Sequence, residues 1–186
     1  MSSSVASLCA FAVASALGIQ VQDSALYGRV ARPKFKKVSS AAQHLVFEYP
    51  DSKDWRILPG QAQVLAIVAE TKNGDASIVL ERTALREALT DEDLPTARDS
   101  EADTIRENQP NATQLRQQVM KVENRQFIVV QYVRPGINGE EQVVHYAFPI
   151  GSAIYRVICS SPVKEFAKYA PIFGHVAASL QVSPGS

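Results

Sequence analysis

The sequence predicts an α+β domain in which an antiparallel sheet is packed with helices. Three observations predict it. From residue 45 onward, short β-branched runs recur at close spacing, divided by Asn-Gly, Pro-Gly and Gly-Ser turns. Two stretches carry apolar residues at helical spacing, one in the middle of the chain and one at its end. The links between strands are too short for the crossovers that a parallel sheet needs.

The elements follow in order. "LVFEY" alternates and stops at Pro50, because proline cannot donate to a ladder. "DSKD" is then a polar turn, and Trp55, the only tryptophan, restarts apolar contact with Ile57 and Leu58. A lone tryptophan beside a strand end is core or rim packing before it is a ligand platform. "AQVLAIVAE" and "ASIVLERT" form a hairpin across Asn73-Gly74, which supplies the positive φ angles of a tight turn. "QLRQQVMKVE" pairs with "QFIVVQYVR" across Asn124-Arg125. "EQVVHYAFPI" and "AIYRVICSS" follow, divided from their neighbours by Pro135-Gly136 with Asn138-Gly139 and then by Gly151-Ser152.

The first helical stretch, "LTDEDLPTARDSEADTIRENQP", is acidic with a thin stripe of Leu94, Ala97, Ala102 and Ile105. In the second, "SPVKEFAKYAPIFGHVAASLQV", Ser161 is placed to cap and Pro162 to fill the first turn. Phe166, Tyr169, Phe173, Val176 and Leu180 then recur on one face, interrupted by Pro171, which is expected to kink or reset the helix. A stripe of that size must cover a sheet face.

Composition narrows the function. The 186 residues are 46% hydrophobic, and 19 Lys and Arg balance 19 Asp and Glu. A neutral chain has no general pull on nucleic acid or anionic lipid, so neither is expected as a partner. Residues 1–22 carry no charged side chain, so only the amino terminus is positive, and the apolar run over residues 5–17 is too short to span a bilayer comfortably but suits a secretory signal. Ala14-Ser15-Ala16 supplies small residues for cleavage, although no Lys or Arg precedes the run. A plastid transit peptide and an Ala-rich helix packed on the domain are the alternatives. Residues 23–42 read as a linker with the basic run "RVARPKFKK", and residues 43–183 as the domain. Cleavage removes Cys9 and leaves Cys159, inside "AIYRVIC", as a buried small hydrophobe.

No catalytic constellation stands out. There is no GxSxG elbow, no phosphate-cradling glycine loop and no GxGxxG. Gly151-Ser152 is turn chemistry, since a strand-to-strand turn does not present serine as a nucleophile elbow does. His44, His145 and His175 lack metal-ligand spacing, although folding is able to bring His145 and His175 together. Asp91, Glu92, Asp93, Asp99, Glu101 and Asp103 offer oxygens without the glycine-pivoted loop of a calcium site, and carboxylates near a helix start are favoured by its dipole. The metal set, if there is one, is therefore undefined. Asn111-Ala112-Thr113 is a glycosylation sequon, relevant only to a secreted protein in a glycosylating host.

"FEYPDSKDW", "IRENQPNATQLRQQVMKVENRQFIVVQYVR" and "HYAFPIGSAIYRVICSSPVKEFAKYAPIFGHVAASLQV" together resemble the PsbP-like superfamily, most of all its bacterial PsbP-related and DcrB-type members. The resemblance spans residues 42–182. It implies an α/β/α sandwich with a central antiparallel sheet flanked by helices, and extracytoplasmic, non-enzymatic accessory roles without a cofactor. The implied protein is periplasmic or secreted, with a plastid lumen as the alternative. It binds a protein or peptide partner and has no transmembrane helix in its mature chain. A metal-ion or small-ligand binding protein is the rival. Two specialised features of the family do not carry over: no PsbP metal motif matches residue by residue, and "ASLC" ending at Cys9 is a poor lipoprotein box placed too early.

Overall fold

The computed structural model describes residues 33–40, 45–59, 64–70, 75–122 and 124–182. The signal-like segment with Cys9, His44 and the Asn73-Gly74 turn lie outside the described residues. By their contacts the residues divide into two compact units, Arg56–Phe166 and a second drawn from Met1–Trp55 and Ala167–Ser186.

The larger unit is built on a seven-stranded sheet, counted among the described residues. Its strands are β3 (Trp55–Pro59), β4 (Val64–Glu70), β5 (Ser77–Ala84), β6 (Thr113–Val122), β7 (Arg125–Gly136), β8 (Gly139–Pro149) and β9 (Ala153–Pro162). They lie in the order β3-β4-β5-β9-β8-β7-β6, and every register determined between neighbours is antiparallel. The hairpins expected from the sequence are all present: β4 with β5, β6 with β7, and β8 with β9. Gly139 (φ 113°) and Gly151 (φ 57°) take the left-handed conformations that their turns require.

Between β5 and β6 runs helix α1, Leu94–Asn108, with Pro95 in its first turn. Leu94, Ala102 and Ile105 are buried, as their spacing predicts. Ile105 packs with Ile128, Val130 and Tyr132 of β7, Val143 and Ala147 of β8, and Ile154 of β9. The alternate residues of the central strands, among them Ile78, Val129, Val144, Val157 and Cys159, point to the opposite sheet face and are fully buried as well.

In the smaller unit, β1 (Phe35–Ser40), β2 (Leu45–Pro50) and β10 (Gln181–Val182) form a sheet in the order β1-β2-β10. Residues 35–40, read from the sequence as linker, are therefore a strand: all six pair with β2, and Lys37 meets Glu48 across the ladder. The end of the basic run, Phe35 to Lys37, is thus part of an edge strand, where lysines are ordinary.

Helix α2, Phe166–Ser179, starts later than the sequence indicates. Strand β9 continues through Ser161 and Pro162, which pair with Gln142 and Glu141, and a turn precedes Phe166. Ser161 is thus a buried strand residue, 2% exposed, and not a helix cap. The ladder register, fixed over nine residue pairs, overrides a local capping signal. The helix continues through Pro171. Tyr169, Phe173 and Val176 are buried on one face, with the Tyr169 and Phe173 rings stacked at 6.0 Å. Trp55 meets Tyr169 edge-on at 6.2 Å and is 8% exposed, so it is packing, as its position beside a strand end suggests.

Candidate functional site

A charged cluster lies between α1 and the sheet of the larger unit. Leu94, Ala97 and Ile105 mark the inner face of α1, and Glu101 stands four residues after Ala97 and four before Ile105. The same periodicity that buries the stripe turns Glu101 inward. On β9, Arg156 alternates with Ile154 and Ile158, and on β8, His145 alternates with Val143 and Ala147. Three polar side chains from three elements thus converge on one apolar surface.

Their geometry is specific. Arg156 Nε donates to both Glu101 oxygens, at 2.8 and 3.0 Å, and Nη2 donates to Oε2 at 2.8 Å. Arg156 Nη1 donates to Thr83 Oγ1 on β5 at 2.7 Å. His145 Nδ1 lies 3.3 Å from Glu101 Oε1, and its Nε2 lies 3.3 Å from the Tyr132 hydroxyl on β7. The tautomer with its proton on Nδ1 satisfies both contacts, donating to Glu101 and accepting from Tyr132.

Burial by itself raises the Glu101 carboxyl, but hydrogen bonds from His145 and Arg156, and the Arg156 charge, overcome it and hold the group down at about 2. Burial disfavours the Arg156 cation, and the hydrogen bonds and charge of Glu101, with Glu81 beside it, outweigh that loss and raise its affinity for the proton. Burial pushes the Tyr132 phenol up, so it remains a donor. A carboxylate bound at both oxygens and ionised far below neutral pH is a poor proton acceptor. Glu101 is therefore placed to hold α1 to the sheet and not to act as a general base.

Two members of the cluster, Glu101 and Arg156, line a cleft of about 360 Å³. Leu85, Leu89, Ala97 and Ile154 give it an aliphatic floor, while Thr96, Ser100 and Thr104 of α1 line one side with hydroxyls. Asp93 stands at the rim. Its carboxylate accepts from the Thr90 N–H and hydroxyl, which lower its proton affinity.

The remaining sequence candidates are dispersed. Asp91 accepts from Gln126, Asp99 from Arg98 and Gln117, and Asp103 from Arg106. His175 belongs to the smaller unit, where Nε2 is 2.7 Å from Glu48 Oε2 and the ring stacks on Phe35 at 3.7 Å. His145 and His175 thus each have their own carboxylate. Among the described residues no three His, Cys, Asp or Glu side chains converge as metal ligands would. Cys159 is free and fully buried, and burial holds its thiol well above its ordinary value. Grouping Glu101 with its acidic neighbours by sequence proximity hid its role. The usable signal was a charged residue at a core position on each of three elements.

The structure is similar to solved proteins over nearly its whole length. Cyanobacterial PsbP from Synechocystis superposes with a TM-score of 0.64 at 14% identity, covering 84% of this chain and 96% of that one. The fold is PsbP-like. LpqN of Mycobacterium tuberculosis, described as involved in cell envelope biogenesis, gives 0.52 at 11% identity over 87% of this chain and 97% of its own. The Pseudomonas aeruginosa protein PA94 gives 0.51 at 11%, covering 81% and 99%. No protein-family model and no curated protein matches the sequence. At these identities the likeness is one of fold. No helix among the described residues is long and apolar enough to cross a membrane.

Proposed function

We propose that the protein is a non-enzymatic accessory factor that works outside the cytoplasm and binds a protein or peptide partner. The PsbP-like fold is the observation that carries the reading, since it is shared with cyanobacterial PsbP and with LpqN, a protein of envelope biogenesis. The charge-free apolar segment over residues 1–22 supports an exported chain. In this reading it is a signal removed near Ala16, and the folded domain lies within residues 43–183 extended back to β1. The Glu101–Arg156 cluster supports binding over catalysis, because its carboxylate is spent on two hydrogen-bonded partners.

Cross-linking in intact envelopes of the native host, followed by mass spectrometry and reciprocal capture, tests the reading. The expected result is one partner recovered in both directions from an extracytoplasmic fraction. A panel of esterase, phosphatase and peptidase substrates should show no turnover. Reproducible turnover, or a chain recovered only from the cytoplasm, would overturn it.

A further inference from the structure

The cleft beside Glu101 holds polar groups that the fold leaves unused. On Arg156, the second N–H of each terminal nitrogen has no partner among the described residues. The hydroxyls of Thr96 and Ser100 are exposed and likewise have none among the described residues. Glu101 offers nothing further, because both of its oxygens already accept. The cleft therefore presents mainly donors and hydroxyls over an aliphatic floor.

The spacing of these groups selects a class of ligand. Thr96, Ser100 and Thr104 recur every four residues, about 6 Å apart along the helix axis. An extended peptide repeats its same-side groups every second residue, about 6.6 Å apart. A strand laid along α1 over this short length meets a hydroxyl at each repeat. Alternate side chains of such a strand then face Leu89, Ala97 and Ile154. The volume suits a few residues and not a folded surface.

Charge selects further. Glu101 neutralises Arg156, and two more carboxylates lie close by: Asp93 at the rim and Glu81, the cross-strand neighbour of Arg156. On the rim loop, Arg86 and Glu87 offset one another, and Arg98 is paired with Asp99. The surroundings are net negative, so they disfavour an acidic ligand and favour a basic one.

We propose that this cleft binds an extended peptide segment of a partner protein, with an aliphatic side chain in the socket and a basic residue beside it. Main-chain carbonyls of the segment accept from Arg156 and from the Thr96 and Ser100 hydroxyls, while the Thr104 hydroxyl, which donates to the Ser100 carbonyl, is left to accept from a main-chain N–H. The inference deepens the accessory-protein reading and rests on it only for the partner being a protein.

The experiment is an amide NMR titration of the isotope-labelled full chain with the capped peptide Ac-Ala-Leu-Ala-Lys-Ala-NH2 and its glutamate counterpart. The lysine peptide is expected to shift the amides of Ala97, Ser100, Ile154 and Arg156, and the glutamate peptide to bind about ten-fold more weakly. Ser100→Trp, which fills the cleft from an exposed position, should abolish these shifts with an unchanged melting midpoint. Thr96→Val should weaken binding about three-fold. Silence of those amides at millimolar peptide, unchanged binding by Ser100→Trp, or a preference for glutamate would overturn the proposal. Its failure is separable from failure of the accessory reading, because the titration is blind to where the protein resides.

Discussion

Glu101 is a buried carboxylate on α1 bonded to Arg156 of β9 and His145 of β8. Its carboxyl is held at about 2, against an ordinary value of 4.5, so its ion pair contributes fully above about pH 4.5 and is lost as pH falls toward 2. Glu101→Gln should cost on the order of 3 kcal/mol at neutral pH, because it leaves Arg156 buried without its counter-charge. The gap between wild type and variant in urea denaturation should narrow steadily as the pH is lowered through that window. A gap that does not vary with pH would mean that the pair is not ionised as described. The double replacement Glu101→Leu with Arg156→Met should be far milder, since paired buried charges are often replaceable by apolar side chains of similar volume. Trp55 belongs to the same scale. Trp55→Ala removes a ring that is packed on Tyr169, and should cost about 3–5 kcal/mol. An unchanged denaturation midpoint would contradict that packing.

Among the elements, α2 and β1 carry the sharpest consequences. Truncation after Val163 removes α2 and β10, and with them the buried faces of Phe173, Val176 and Leu180. The product should be insoluble or molten, because the partners of those side chains then face water. A soluble, cooperatively melting product would contradict this role for the helix. Removal of residues 1–32 should leave a cooperative fold, whereas removal of residues 1–40 also deletes β1 and opens the edge of β2. Strand pairing was the most legible part of the sequence, because alternation and glycine turns are local signals. The start of α2 was not, because what decides Ser161 and Pro162 is the register with β8, which is a non-local fact. The linker reading of residues 35–40 failed for a related reason: a short basic ribbon shows its pairing only when its partner is known. At the candidate site, His145 and Glu101 were both noticed, but Glu101 was grouped with its acidic sequence neighbours and Arg156 was not singled out. Each looks like an ordinary surface charge until helix and strand periodicity are laid on the same core.

For the whole molecule, the fold is PsbP-like and its charged cleft is a property of these particular residues. In the Glu101 cluster both carboxylate oxygens are taken up by Arg156 and His145, which ties α1 to β8 and β9. Export is the central claim, since the accessory reading depends on it and the apolar segment over residues 1–22 motivates it. The most direct measurement is the intact mass of the protein purified from fractions of its own host. The account predicts a chain recovered outside the cytoplasm that has lost its N-terminus to a point near Ala16. Recovery of the uncleaved chain, beginning at Met1, from the cytoplasmic fraction alone would contradict it.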